Sequence, residues 1–70
     1  MKMMKETIKV NGMTCGHCKA SVEGALTKLA GVVSAEVSLE NKEVTVDFNE
    51  EQVTVEQLKT EIEDTGFDVA

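Results

Sequence analysis

Seventy residues suffice for one small domain with one modest hydrophobic core, so we expect a single domain over residues 1–70. The net charge of −6 argues against nucleic acid and against membrane surfaces as partners, because both require a basic footprint on the protein. No apolar run is long enough to cross a bilayer and no secretory signal is recognisable, so the expected location is cytoplasmic.

The first part of the chain predicts a strand followed by a helix. Polar and apolar residues alternate over 7–10, as in a strand with one buried face, whereas residues 1–6 show no period and are expected to form a frayed start. From Gly16 onward the period changes to that of a helix, which Gly31 is expected to end. The apolar stripe of this helix consists of Cys18, Val22, Ala25, Leu26 and Leu29.

The next segments predict a hairpin and a second helix. Apolar residues alternate over 33–39 and again over 44–48, and the polar turn at 40–42 joins the two segments as neighbouring strands with one buried face. Thr54 and Gln57 have the spacing of a capping box, which marks the start of a helix. The apolar stripe of this second helix consists of Val55, Leu58 and Ile62.

The last segment completes a recognisable order of elements. Gly66 is expected to end the second helix, and residues 67–69 form a short final strand. The order strand, helix, strand, strand, helix, strand needs a sheet whose apolar face can receive both helical stripes. We therefore predict an α+β, ferredoxin-like βαββαβ open-faced sandwich, with a four-stranded antiparallel sheet and both helices on one face.

The segment G-M-T-C-G-H-C, residues 12–18, joins the first strand to the first helix and carries the chemistry. Cys15 and Cys18 form a CxxC pair at the start of that helix, where unpaired backbone N–H groups favour negative charge. Lys19 adds a neighbouring positive charge, so the arrangement favours thiolates. Two inert buried thiols are the alternative, but the polar Gly16–His17 pair between the cysteines argues against it.

The ligand count indicates which ion the thiolates select. Two soft sulfurs favour a soft ion of low coordination number, of which Cu(I) is the physiological example. A closed zinc site normally needs four protein ligands, and this segment offers only Cys15, His17 and Cys18. Thioethers also bind Cu(I), which makes the methionines at the start of the chain a second set of candidates, although an unremarkable tail is the simpler interpretation: Met1, Met3 and Met4.

The same segment carries a family resemblance. G-M-T-C-G-H-C after a short strand resembles the GMxCxxC signature of the heavy-metal-associated (HMA) domain family. The resemblance runs from about Glu6 to Val69 and includes the Gly-Val at 31–32 and the Gly-Phe at 66–67. The length, and His17 before the second cysteine, most resemble the free-standing bacterial copper chaperones of this family.

The resemblance implies roles for five residues. Cys15 and Cys18 are the implied Cu(I) ligands. Met13 matches a family methionine that points into the core and supports the loop, with direct ligation as the minority interpretation. Phe67 matches a position facing the site, where many bacterial chaperones have tyrosine and many transport-ATPase domains have phenylalanine; core packing alone is the other interpretation. His17 is expected to be an exposed helix-start residue, or else to tune the thiolates or bridge copper in a dimer.

The resemblance also implies partners and a mode of action. A copper chaperone delivers Cu(I) by ligand exchange to a copper-transporting P-type ATPase or to a copper-responsive repressor. No substrate covalent bond changes, so we do not expect an enzyme. We expect the apo chain to be monomeric, with a copper-bridged homodimer as an option. The first half of the chain is the more basic one, which predicts docking through Lys19 and Lys28.

Three alternatives remain open at the level of sequence. The first is an N-terminal metal-binding domain excised from a copper-transporting ATPase. We expect this to be the less favoured alternative, because the sequence starts with Met1 and ends shortly after the last strand. The second is a mercury or zinc carrier on the same fold, although zinc-selective relatives tend to place an acid where Thr14 stands. The third is a thiol oxidoreductase, for which 70 residues without proline are too short to form a thioredoxin-like fold.

Overall fold

The strands and helices follow one another in the predicted order. A computed structural model describes residues 2–13 and 16–69, and over these residues it contains β1 (Met3–Asn11), α1 (Gly16–Thr27), β2 (Val32–Ser38), β3 (Glu43–Asn49), α2 (Val55–Asp64) and β4 (Asp68–Val69). The strands form one antiparallel sheet in the order β2-β3-β1-β4. The predicted ferredoxin-like open-faced sandwich is therefore confirmed.

The core lies between one face of the sheet and the helices. Val22 and Leu26 of α1 and Leu58 and Ile62 of α2 are fully buried, because the helical period places them on one stripe of each helix. Alternate strand residues meet them from the sheet: Ile8, Val10, Val37, Val44, Val46 and Phe48. Each buried side chain of this kind contributes about 1.5–3 kcal/mol of transfer free energy. The opposite face of the sheet is polar.

That polar face is held by cross-strand pairs between β1 and β3. The Lys9 ammonium lies 2.9 Å from a carboxylate oxygen of Glu43, directly opposite in the register. The Thr7 and Thr45 hydroxyls, also opposite each other, are 3.3 Å apart. Such pairs contribute roughly 0.2–1 kcal/mol each, so they fix the register more than they determine the stability.

The expectation of a frayed start over residues 1–6 is wrong for residues 3–6. These residues belong to β1 and pair with β3 from Met3 opposite Asn49 to Glu6 opposite Val46. Sequence analysis missed this part of the strand because Met3 and Met4 are both exposed, so no alternation of buried and exposed residues marks it. Neighbouring strand residues point to opposite faces of a sheet, so Met3 and Met4 are poorly placed to hold one ion together.

The prediction that Val33 lies on the buried face is also wrong. The register between β2 and β3 shifts between Val32 and Ser34, so β2 contains a bulge at this point. The extra residue moves Val32 into contact with the core and leaves Val33 65% exposed. From Ala35 onward the predicted alternation holds, with Val37 buried.

Gly31 serves a different purpose from the one predicted. α1 already ends at Thr27, and Leu29 contacts the core from the turn that follows. Gly31 lies in that turn with a φ of +100°, and a Cβ there would be only 2.7 Å from Cβ of Gln52. Glycine is therefore required by a left-handed backbone and by the close approach of the β3–α2 loop.

Asn49 ties together three chain segments near Gly31. Its backbone N–H donates to the Gly31 carbonyl at 2.7 Å, and its side-chain oxygen accepts from the backbone N–H groups of Lys2 at 3.2 Å and Glu51 at 3.1 Å. Asn49 is only 9% exposed, so these bonds satisfy groups that burial would otherwise leave without water.

The start of α2 and one edge of the sheet are fixed by side chains. The capping box is confirmed, because the Thr54 hydroxyl accepts from the Gln57 backbone N–H at 3.2 Å and the Gln57 side chain accepts from the Thr54 backbone N–H at 2.8 Å. On the outer strand β2, the backbone N–H of Val37 donates to the Glu23 carboxylate of α1 at 2.8 Å. That bond attaches α1 to the sheet and occupies a donor on the sheet edge.

Candidate metal-binding site

Three connections meet at the end of the sheet where β1 stops. The pairing of Lys9 with Glu43 and of Ser38 with Glu43 places the β2–β3 turn beside the end of β1. The pairing of Asn11 with Asp68 brings the α2–β4 connection to the same place. We call this region, formed by residues 12–13, 16–18, 39–42 and 66–67, the thiol end. This region lies at the rim of the sheet, where loops commonly carry function.

Gly12 and Met13 turn the chain from β1 into the loop. Gly12 has a φ of +96°, a left-handed conformation that favours glycine. Met13 is 2% exposed and belongs to the core cluster. Its side chain therefore points into the core, as the resemblance implied, and its support of the loop stays a prediction. The Asn11–Gly12 pair at the end of a strand was the signal for such a turn in the sequence.

Phe67 lies over the start of the loop. The position that a Cβ on residue 12 would take is 3.4 Å from the Cδ1 atom of the Phe67 ring. The ring is half-buried and also contacts the core. The structure thus shows that Phe67 packs against the core, and its position facing the metal site stays a prediction. β4 starts one residue later than predicted, at Asp68.

Of the two cysteines, Cys18 is among the residues that the structure describes. Cys18 is the third residue of α1, half-buried on the helical stripe and in contact with the core. His17, beside it, is exposed. Thr14 and Cys15 lie outside the described residues, so the predicted pairing of the sulfurs stays a prediction. Among residues 2–13 and 16–69, no cluster of three or more His, Cys, Asp or Glu side chains is placed to hold a metal ion.

The predicted basic docking surface divides into separate charges. Lys19 lies in the first turn of α1, at the thiol end, whereas Lys28 follows the last residue of that helix. At 1.5 Å per residue the two are separated by about 13 Å along the helix axis. Lys9 already lies in its ion pair with Glu43. Of the two predicted docking residues, Lys19 is therefore the one that lies at the thiol end.

In the part of the chain that the structure describes, the helices are too short and too polar for a membrane span.

Comparison with known proteins finds relatives that are named copper chaperones. The chain is 52% identical over 67 residues to the copper chaperone CopZ of Staphylococcus aureus (strain bovine RF122 / ET3-1), which covers 96% of this chain and 98% of that protein.

Solved structures extend this likeness to three dimensions. A structure described as a CopZ metallochaperone matches with a TM-score of 0.94 and 49% identity, covering 96% of this chain and 100% of that one. A copper-binding domain from HMA7, a P-type ATPase, matches with a TM-score of 0.91 and 42% identity, covering 94% of this chain and 89% of that one. The profile of the heavy-metal-associated domain matches residues 7–68. The chain therefore belongs to the heavy-metal-associated domain family.

Proposed function

We propose that this chain is a cytoplasmic copper chaperone that holds one Cu(I) between the thiolates of Cys15 and Cys18. The observation that carries the proposal is the CxxC segment at the start of α1, in a chain whose curated relatives are named copper chaperones. Cys18 lies where unpaired backbone N–H groups and the helix dipole favour an anion. Lys19, the next residue, adds positive charge.

The transfer step follows from the low coordination number of the ion. When Cu(I) has two sulfur ligands, a thiolate of a partner can add before one of the chaperone's own thiolates leaves. One copper–sulfur bond forms and one breaks, the thiol protons exchange with solvent, and copper keeps its oxidation state. A rigid sheet behind an exposed loop supports such an approach, because the ligands are held while the partner docks. No substrate covalent bond changes, so the proposal does not describe an enzyme.

The partner that fits this step is a copper-transporting P-type ATPase. Its support is the match to a copper-binding domain of such an ATPase, which has the same fold. Two related domains can present equivalent thiolates to one ion, which keeps the exchange close to balance. The copper-responsive repressor and the copper-bridged dimer stay predictions.

A second candidate is a metal-binding domain that belongs to an ATPase. The phenylalanine at position 67 favours it, since that residue is the one that resembles the ATPase domains. The identities favour the chaperone, because two CopZ proteins are 52% and 57% identical to this chain and the ATPase domain is 42% identical.

The test is a competitive Cu(I) titration against a chromophoric chelator, with native mass spectrometry for the stoichiometry. Wild type should bind one ion tightly, Cys15→Ser and Cys18→Ser should each lose tight binding, and the double variant should lose it completely. Ser21→Ala, an exposed change on the same helix, is the matched control and should bind as wild type does.

Two outcomes would contradict the proposal. Tight binding by the double variant would remove the site assignment. X-ray absorption that shows oxygen and nitrogen around the bound copper would remove the thiolate ligands. A thiol oxidoreductase would instead reveal itself by insulin reduction and by a disulfide potential matched to that activity, neither of which a carrier requires.

A further inference from the structure

The chain contains an Asn-Gly pair where β1 ends. Asn11 is exposed and is the last residue of β1, and Gly12 follows it with a φ of +96° and no side chain. The backbone nitrogen of a residue after asparagine can attack the side-chain amide carbon when no Cβ obstructs it. Glycine is the residue that leaves this path open, because it lacks a Cβ and reaches the widest range of backbone conformations.

We propose that Asn11 is a site of spontaneous deamidation. The Gly12 backbone nitrogen forms a bond to Cγ of Asn11, the bond from Cγ to the side-chain nitrogen breaks, and ammonia leaves. Water then opens the resulting five-membered imide at either carbonyl and gives aspartate or isoaspartate. The reaction consumes one water and releases one ammonia, with no change of oxidation state. The net charge of the chain changes from −6 to −7.

The other asparagines of the chain lack these features and serve as internal controls. Asn41 is exposed but is followed by Lys42, whose side chain hinders the attack. Asn49 is buried, its side-chain oxygen accepts two backbone N–H groups, and Glu50 follows it. The structure thus singles out Asn11 among them.

The position of Asn11 gives the modification a structural consequence. Asn11 lies opposite Asp68 in the pairing of β1 with β4, a pairing that extends over residues 10–11 and 68–69. Conversion to aspartate places two carboxylates directly opposite each other, which destabilises a strand pair. Phe67 precedes Asp68, and its ring lies 3.4 Å from where a Cβ on residue 12 would be, so weakened pairing of β4 loosens the ring beside the start of the loop.

The first experiment measures the modification itself. The full chain is kept in mildly alkaline buffer at physiological temperature for several days and then digested and sequenced by mass spectrometry. We expect the mass gain of one amide-to-acid conversion on Asn11, with isoaspartate as one product, and none on Asn41. The variant Asn11→Gln should lose the conversion. An intact Asn11, or conversion of Asn41 at the same rate, would overturn the proposal.

The second experiment measures the consequence and needs no copper. In Asn11→Asp, we expect the amide hydrogen of Asp68 to exchange roughly two- to fivefold faster than in wild type, as a pair of opposed like charges would cause. The double variant Asn11→Asp with Asp68→Asn should return to the wild-type rate. Unchanged exchange in the single variant, or no recovery in the double variant, would refute the coupling to β4.

Discussion

Replacing Met13 separates its two predicted roles, anchor of the loop and ligand of copper. The side chain is 2% exposed and belongs to the core cluster beneath the loop. Met13→Ala removes that buried chain and should lower the free energy of unfolding by about 2–5 kcal/mol. A domain of this length has a total of about 3.5–10 kcal/mol, so the variant loses a large share of its stability.

Met13→Leu keeps a side chain of similar volume and removes the sulfur. Such exchanges in cores usually cost less than about 1.5 kcal/mol. If Met13 acts as an anchor, the leucine variant should remain stable and should bind Cu(I) within about tenfold of wild type, a difference of about 1.4 kcal/mol.

The assay combines urea unfolding with the chelator competition for Cu(I). Val53→Ala is the matched control, because Val53 is as buried as Met13 but lies at the opposite end of the sheet. There its backbone N–H donates to the carbonyl of Asn49, the last residue of β3. It should lower stability while leaving the copper affinity of the folded fraction unchanged. A leucine variant of normal stability that loses far more than tenfold in affinity would refute the anchor role and make the thioether a ligand.

Two further predictions concern the edge of the sheet and the docking surface. Glu23→Ala should lower the free energy of unfolding by about 1.5–3 kcal/mol, because the partly buried hydrogen bond from the Val37 N–H to a charged acceptor is lost. Glu23→Gln keeps an acceptor and should lower it less. Equal losses in urea unfolding would contradict this prediction. Lys19→Glu should slow copper transfer to an ATPase domain several-fold at about 0.15 M ionic strength, where the Debye length is about 8 Å, whereas Lys28→Glu should not, since it lies farther than that from Lys19 along α1. Equal slowing by both variants in stopped-flow mixing would show that the whole basic half contributes.

The elements with one buried face could be predicted because burial imposes a period on the sequence. Val44, Val46 and Phe48 alternate with polar residues and are all buried, as predicted. The capping box was equally predictable, because Thr54 and Gln57 act on their own backbone three residues apart. Local chemistry of this kind requires no knowledge of the tertiary structure.

The features that sequence analysis missed depend on distant contacts. Residues 3–6 become a strand because β3 pairs with them, although their own pattern does not require it. The bulge at Val33 arises where the register of β2 against β3 shifts, and the sequence of either strand alone does not specify that register. Glu23 looks like any exposed helical acid until β2 places a backbone donor beside it.

The candidate site divides in the same way. The motif, its place at the start of α1 and the inward Met13 followed from the sequence and its resemblance. The Phe67 ring lies beside the side-chain position of Gly12 although the two residues are far apart in the chain, so only the fold shows that they are neighbours. The ligand role of Cys15 and Cys18 stays a prediction for the copper titration.

β1 extends from one end of the sheet to the other, so the residues before it lie far from the thiol end. From Met3 to Asn11 the strand spans eight residue steps, which is about 27 Å. An affinity tag or a fluorophore joined ahead of Lys2 is therefore attached on the far side of the molecule from a docked partner. Immobilised or single-molecule measurements of copper hand-over can use such an attachment point with a short spacer.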